Sequence, residues 1–547
     1  MLRRPRLPFR YSFYFSLFIF HFLLSTFSSA QPPFSVVEAT IADMQGAMQQ
    51  KRITSRGIVQ QYLDRIAKYE DRLNAIITLN PRALEEADRL DRERAQGRIR
   101  GPLHGIPIAL KDNIHTTDMP TTGGALAFKG FVPPYEATLT KHLRDAGAIV
   151  IAKTNMTELA NWIAAGMPGN YNGLAGYGFN PYDPRPDPRE GTSDGRPALT
   201  PAGSSSGAGT SANLWAANVG TETSGSILSP ANQTMIVGIK PTVGRISRYG
   251  IIPITADQDT AGPMARTVAD AAMLLGVLES AAPDPNDAAT RVCPRTPNGD
   301  YARHLNARGL EGARIGIPRA TFVDEARQGD VVREAIAVLR KAGAVIVDPA
   351  DLPEQPPPVC RDDTGMRGKD VNCSIVFKYG MKRDFNAWLA TLGAGAPVKT
   401  LTQLREWNLA HRAEGAIKYG QIQLDNSDAV DLETDRARYL ADRQKDMRVT
   451  GTDGIDAVFK RERLDALLFV GSSGSAFAAK PGYPTVIVPF AFVPNAPTPP
   501  FPPGFDAKPS PLGISFTGTA CSEPRLIELA YAFEQATKRR VAPGEFP

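Results

Sequence analysis

Short apolar runs alternate with longer segments of helical periodicity, and this alternation most narrows the folds open to the chain. Residues 138–146 have helical spacing and lead into the buried-strand run 148–152. The same grammar recurs at 313–317 (strand), 331–342 (helix) and 344–347 (strand). Further apolar runs at 106–110, 465–470, 484–489 and 512–517 read as strands, and 523–538 reads as a closing helix. Helices are also expected over 35–50, 55–77, where Ile58, Tyr62, Ile66 and Tyr69 share a face, and 82–96, which is highly charged. Two longer helical regions are expected over 374–421 and 431–463. The pattern predicts an α/β fold with a central mixed, mostly parallel β-sheet flanked by helices on both faces. No internal repeat divides the 547 residues, and no linker does, so 31–547 is read as one large domain.

Residues 1–30 stand apart. Arg3, Arg4, Arg6 and Arg10 precede the apolar run 11–27, and Ser28-Ser29-Ala30 supplies the small residues that suit signal-peptidase cleavage. This is read as a secretory signal; the alternative is an uncleaved anchor, for which 17 residues including His21 are short. The formal net charge of +5 falls to +1 without those four arginines, so nothing points to nucleic acid or an anionic membrane. The expected product is secreted or periplasmic, with no membrane association once the signal is removed. The four cysteines (Cys293, Cys360, Cys373, Cys521) match no metal-site spacing and the histidines do not cluster, so neither metal nor cofactor is expected. In an oxidising compartment Cys360 and Cys373, with twelve residues between them in a polar loop, are placed to pair. Asn372, Asn155 and Asn232 head glycosylation sequons, the last two inside the core. Proline-rich loops at 181–201, 353–369 and 490–511 are of a size that often borders an active site.

The chemistry concentrates in 201–232, P-A-G-S-S-S-G-A-G-T-S-A-N-L-W-A-A-N-V-G-T-E-T-S-G-S-I-L-S-P-A-N. Ser204, Ser205 and Ser206 lie between Gly203 and Gly207, and a second tight turn ends in Gly225-Ser226. Two such turns around a helix-length segment can aim hydroxyls and backbone N–H groups at one point, as a nucleophile and oxyanion hole require. Residues 203–207 also fit the G-x-S-x-G elbow, but the Pro/Gly/Asp/Arg-rich run before them cannot be the strand an elbow needs.

Upstream, G-I-P-I-A-L runs into Lys111 and Asp112. A lysine becomes a base near neutral pH only when burial disfavours its charged form. The lysine after G-I-P-I-A-L, the G-S-S-S-G run and T-E-T-S-G-S-I-L-S-P-A together resemble the amidase signature family. The segments G-I-K-P-T-V-G-R-I-S-R-Y-G-I-I-P and Q-D-T-A-G-P-M-A-R-T-V-A-D-A-A fit it too, and the motifs look most like its peptide-amidase branch.

The resemblance implies an amide-bond hydrolase working through an acyl-enzyme on a small-molecule or peptide amide. It implies Ser226 as nucleophile, Ser204 (with Ser205 as the alternative) as bridging serine after a cis peptide bond, and Lys111 as base; Asp112 is expected to turn away from the site because side chains alternate along a strand. Thr223, Ser224 and Gly225, with Ser226, would supply the oxyanion-hole N–H groups. This chain departs from the family pattern: Ser224 stands where a first glycine is usual, Leu228 where an arginine is, and the segment before Ser226 is a residue or two shorter. Two other readings remain: the A-type component of a tRNA-dependent amidotransferase, and a non-catalytic binding protein.

Overall fold

The structure, a computed structural model, describes residues 1, 33–192, 194–202, 206–321, 325–361 and 372–547. The expected leader therefore lies, apart from Met1, outside the described residues, as do Ser204 and Ser205. Residues 35–547 pack as one body.

Local rules set the first elements. Helix Ile41–Gln49 begins later than the pattern over 35–50 suggests, because Thr40 and Asp43 form a reciprocal capping box that fixes its start. Helix Ser55–Leu73 stops at Asn74, whose φ of 45° is left-handed. The end of the expected 55–77 helix therefore becomes strand β1, Ile76–Leu79. The helix expected over 82–96 is Ala83–Ala95.

The remaining strands are β2 (Pro107–Lys111), β3 (Ile149–Thr154), the small hairpin β4 (Tyr171–Asn172) and β5 (Gly176–Tyr177), β6 (Ala217–Glu222), β7 (Val237–Lys240), β8 (Thr260–Ala265), β9 (Arg314–Gly316), β10 (Val345–Val347), β11 (Ala466–Val470), β12 (Thr485–Val493) and β13 (Ser510–Thr517). Among the described residues eleven of them form one sheet, ordered β1-β3-β2-β6-β8-β7-β12-β13-β11-β9-β10. Helices cover it. Helix Val268–Leu278 lies beside β7 and β8, while Glu523–Thr537 packs on β12 and β13.

The sheet is mixed, but its parallel pairs are fewer than the expected majority. They are β3/β2, β2/β6, β11/β9 and β9/β10, two near each end of the sheet. Every junction from β6 through β8, β7, β12 and β13 to β11 is antiparallel, as is β1 against β3. Helix–strand alternation signalled the parallel ends correctly. The central strands β6, β7 and β8 escaped notice because glycine, asparagine, threonine and proline give them little strand propensity. Close packing explains one such residue: a Cβ on Gly262 would stand 2.1 Å from the Ile239 carbonyl oxygen on β7.

The sheet's geometry places the site. Because β3, β2 and β6 run parallel, Lys153, Lys111 and Glu222 end up together at their carboxyl ends, the edge where open α/β sheets bind ligands. The regions expected to be helical over 374–421 and 431–463 break into shorter helices. Val376–Thr391 brings Phe377, Phe385 and Trp388 into an aromatic cluster with Phe128 and Trp162 behind that edge. Two disulfides close the described residues: Cys360–Cys373, as spacing suggested, and Cys293–Cys521, whose partners lie 228 residues apart. Asn155 and Asn232 are buried.

Candidate active site

Lys111 ends β2 with no solvent exposure and donates from Nζ to the Thr221 carbonyl of β6 (3.1 Å). Burial pulls its ammonium down to about 7, although the carboxylates of Asp259 and Glu222 act in the other direction. Asp112, next in sequence, turns away as expected. It accepts from the Thr122 N–H (3.1 Å) and hydroxyl, and pairs with Lys153 Nζ (3.3 Å), all out of water. The second buried lysine thus has its own carboxylate, while Lys111 has a neutral carbonyl.

The turn carrying Ser226 follows directly on β6. Gly225 has φ +101°, a left-handed value that side chains resist, and a Cβ there would lie 3.3 Å from Ser475 Oγ. Glu222, the last residue of β6, reaches forward: its Oε2 accepts from Ile227 N (2.7 Å) and Leu228 N (3.0 Å). Helix Leu228–Gln233 starts there, with Ser229 N bonded to Gly225 O (2.7 Å). By contrast, the N–H groups of Ser224, Gly225 and Ser226 have no acceptor among the described residues. A carbonyl oxygen gaining negative charge would meet a set of donors already held in place.

Thr223 is held from the other side. Its hydroxyl donates to Asp259 Oδ1 (2.5 Å), and its carbonyl accepts from Gln258 Nε2 (3.1 Å). Asp259 Oδ2 also accepts from the N–H groups of Ile254 and Thr255 (both 2.9 Å). The residue as a whole is half-buried, yet its carboxyl sits where burial pushes it up to about 7. Glu222 and Asp259 are positioning residues that sequence reasoning left without a role. Their signal was present in T-E-T-S-G-S and Q-D-T-A-G-P, but only the fold shows which backbone groups they hold.

Ser226 lines a cavity of about 250 Å³ together with Thr223, Ser224, Gly225 and Ser229. Trp162 and Phe377, with rings 5.0 Å apart, form an apolar wall, and Arg361 from the second proline-rich loop lies over both rings. The structure therefore brings Ser226, the candidate oxyanion donors and Lys111 to one strand edge. The bridging position, Ser204 or Ser205, falls outside the described residues. Among the described residues no group of three or more His, Cys, Asp or Glu could hold a metal ion, and no helix is long and apolar enough to cross a membrane.

Residues 57–527 match the Amidase family. A probable amidase of Arabidopsis thaliana is 35% identical over 517 residues, covering 93% of this chain and 92% of its own. The structure of native peptide amidase from Stenotrophomonas maltophilia superposes with a TM-score of 0.81 at 38% identity, covering 93% of this chain and 99% of that one. The A-type component of a glutamyl-tRNA(Gln) amidotransferase from Synechococcus is 31% identical, covering 91% of this chain and 96% of its own.

Proposed function

Because the chain belongs to the amidase family and is an amide hydrolase, we propose that it cleaves the terminal carboxamide of peptides through a Ser226–Ser204–Lys111 relay. The observation carrying this reading is Lys111: fully buried, against a neutral carbonyl, with its amine held near 7, beside the turn that ends in Ser226. Neutral Lys111 takes a proton from Ser204 as Ser204 takes one from Ser226. Ser226 Oγ bonds to the carbonyl carbon, and the oxyanion settles on the N–H groups of Ser224, Gly225 and Ser226. The proton returns along the same path to the leaving nitrogen, ammonia departs, and water then attacks the acyl-enzyme with Lys111 again accepting the proton. The peptide preference draws on 38% identity and near-complete overlap with a peptide amidase. We further propose that residues 1–30 direct export, a reading supported by two disulfides, which suit an oxidising compartment.

The test is release of ammonia from amidated peptides by purified protein. Wild type is expected to be active with chelator present, to react with a serine-directed fluorophosphonate, and to lose both properties in Ser226→Ala. Near-wild-type turnover by Ser226→Ala would remove the assignment. The 31% identity to an amidotransferase component favours a second reading, tRNA-dependent transamidation, for which co-purification with a partner chain and glutamine-dependent ammonia release are the marks.

A further inference from the structure

We propose that Arg361 sets substrate preference by pairing with a carboxylate on the residue that carries the amide, so that peptides whose amidated last residue is acidic are favoured. This rests on the peptide-amide reading above and names the substrate class within it.

The Ser226 cavity supplies the first observation. Among the described residues that line it, Arg361 alone carries a charge. The others are apolar or neutral, among them Asn161 and, from the loop after β11, Ser472 and Ser475. The carboxylates that hold the Ser226 turn are engaged with other groups. Glu222 accepts from the N–H groups of Ile227 and Leu228, and Asp259 from Thr223, Ile254 and Thr255.

Arg361 itself has no carboxylate partner among the described residues. Burial lowers its proton affinity, and no acid opposes that shift. Arg383, on helix Val376–Thr391, shows the contrast: it pairs with Asp257 (3.0 Å) and Asp384 (2.7 Å). Solvent nevertheless reaches Arg361, so its head group is open to an incoming anion. A cation drawn partly out of water without a partner is stabilised when a carboxylate arrives.

The guanidinium is also held in place. Its central carbon stands 5.7 Å from the Trp162 ring centre and 6.0 Å from that of Phe377. Trp162 is fixed in turn, because its Nε1 donates to Ser427 Oγ (2.9 Å), which donates to the Gln423 carbonyl (2.7 Å). On the chain side Cys360 is bonded to Cys373, and its N–H donates to the Ser374 carbonyl (3.1 Å). A guanidinium resting on aromatic faces keeps its N–H donors at its edge, where a carboxylate can take two at once. The cavity's size decides which part of a substrate meets it. A sphere of about 250 Å³ is about 8 Å across, the span of roughly two extended residues. The residue bonded to the carbonyl that Ser226 attacks therefore fills it, and its side chain is the one that reaches Arg361.

The experiment compares kcat/KM for N-acetylated dipeptide amides that differ only in the amidated residue: Glu, its isostere Gln, or Lys. Products are identified by mass, so that only loss of the terminal amide is counted. Expected is at least a fivefold preference for Glu over Gln and a larger one over Lys, carried by KM and reduced by 0.5 M salt. In Arg361→Gln the Glu-to-Gln ratio should fall to about one, and in Arg361→Glu the Glu-to-Lys ratio should fall below one. Both are ratios within one variant, which partial misfolding cannot mimic. Equal turnover of the three substrates by wild type, or a Glu preference that survives in Arg361→Gln, would overturn this inference while the peptide-amide reading stands. Cleavage of small amides with no peptide amide cleaved would overturn both.

Discussion

The sharpest perturbation is Lys111→Arg, because it keeps the charge and removes the chemistry. Lowering the Lys111 amine from 10.5 to about 7 means that charging it in place costs about 5 kcal/mol more than in water. About half of the side chains are then neutral at pH 7, and the neutral share falls tenfold for each pH unit below that. Activity should follow one rising limb between about pH 6 and 8, measured as kcat/KM for ammonia release. A guanidinium does not deprotonate in this range, so Lys111→Arg should lose on the order of 10²–10⁴ in kcat/KM and lose the limb. Asp259, itself pushed up to about 7, could shape the same limb, and Asp259→Asn separates the two. Its carboxylate favours the ammonium form of Lys111, so removing it should move the limb to lower pH. Stability gives an independent check. Lys111 binds its proton below about 7 when folded but below about 10.5 when unfolded. Its charging penalty is thus fully present under pH 7 and disappears as pH rises toward 10.5. Lys111→Met should therefore raise Tm relative to wild type at pH 6, by at most the equivalent of about 5 kcal/mol, and the gain should shrink toward pH 10. An active Lys111→Arg enzyme with an unchanged pH profile would refute the reasoning, whatever the family.

Other residues carry shorter tests. Glu222→Ala strips the acceptor from two buried N–H groups, so a loss of about 2–6 kcal/mol is expected by chemical denaturation, with turnover falling as the Ser226 turn loosens. Gly225→Ala forces a Cβ into a left-handed residue against Ser475, and kcat should drop with a stability loss of about 1–3 kcal/mol; unchanged kinetics would show that the turn's shape is not used. Thr223→Val removes the hydroxyl held by Asp259, and should lower kcat more than it raises KM. Mass spectrometry of thiol-blocked, unreduced protein should find Cys293 linked to Cys521 and Cys360 to Cys373, with no blocked cysteine.

What could be read in the sequence follows from how local each cause is. The burial of Lys111 was legible because the apolar run before it announces a buried strand, but Lys153 and Lys240 are equally buried near the ends of β3 and β7, so only the resemblance singled Lys111 out as a base. Ser226 was singled out through the resemblance to the family's serine after a glycine-rich turn, and the turn itself was legible because Gly225 can take the left-handed angle it has here. The sheet's centre was not, since β6, β7 and β8 are held by cross-strand fit rather than propensity, and Gly262 shows why: the neighbouring strand leaves room for hydrogen alone. Glu222 and Asp259 stayed hidden for a related reason. Each acts on backbone groups, and a sequence does not say which N–H an acid will reach. Glu222 holds residues five and six positions ahead, while Asp259 holds a threonine thirty-six positions back. Cys293 and Cys521 lie farther apart still, so their pairing needed the whole fold, whereas Cys360 and Cys373 needed one loop. The Ser226 turn is therefore announced locally but shaped globally: β6 lies beneath it, Asp259 holds Thr223 beside it, and the proton affinity of Lys111 is set by burial at the sheet edge.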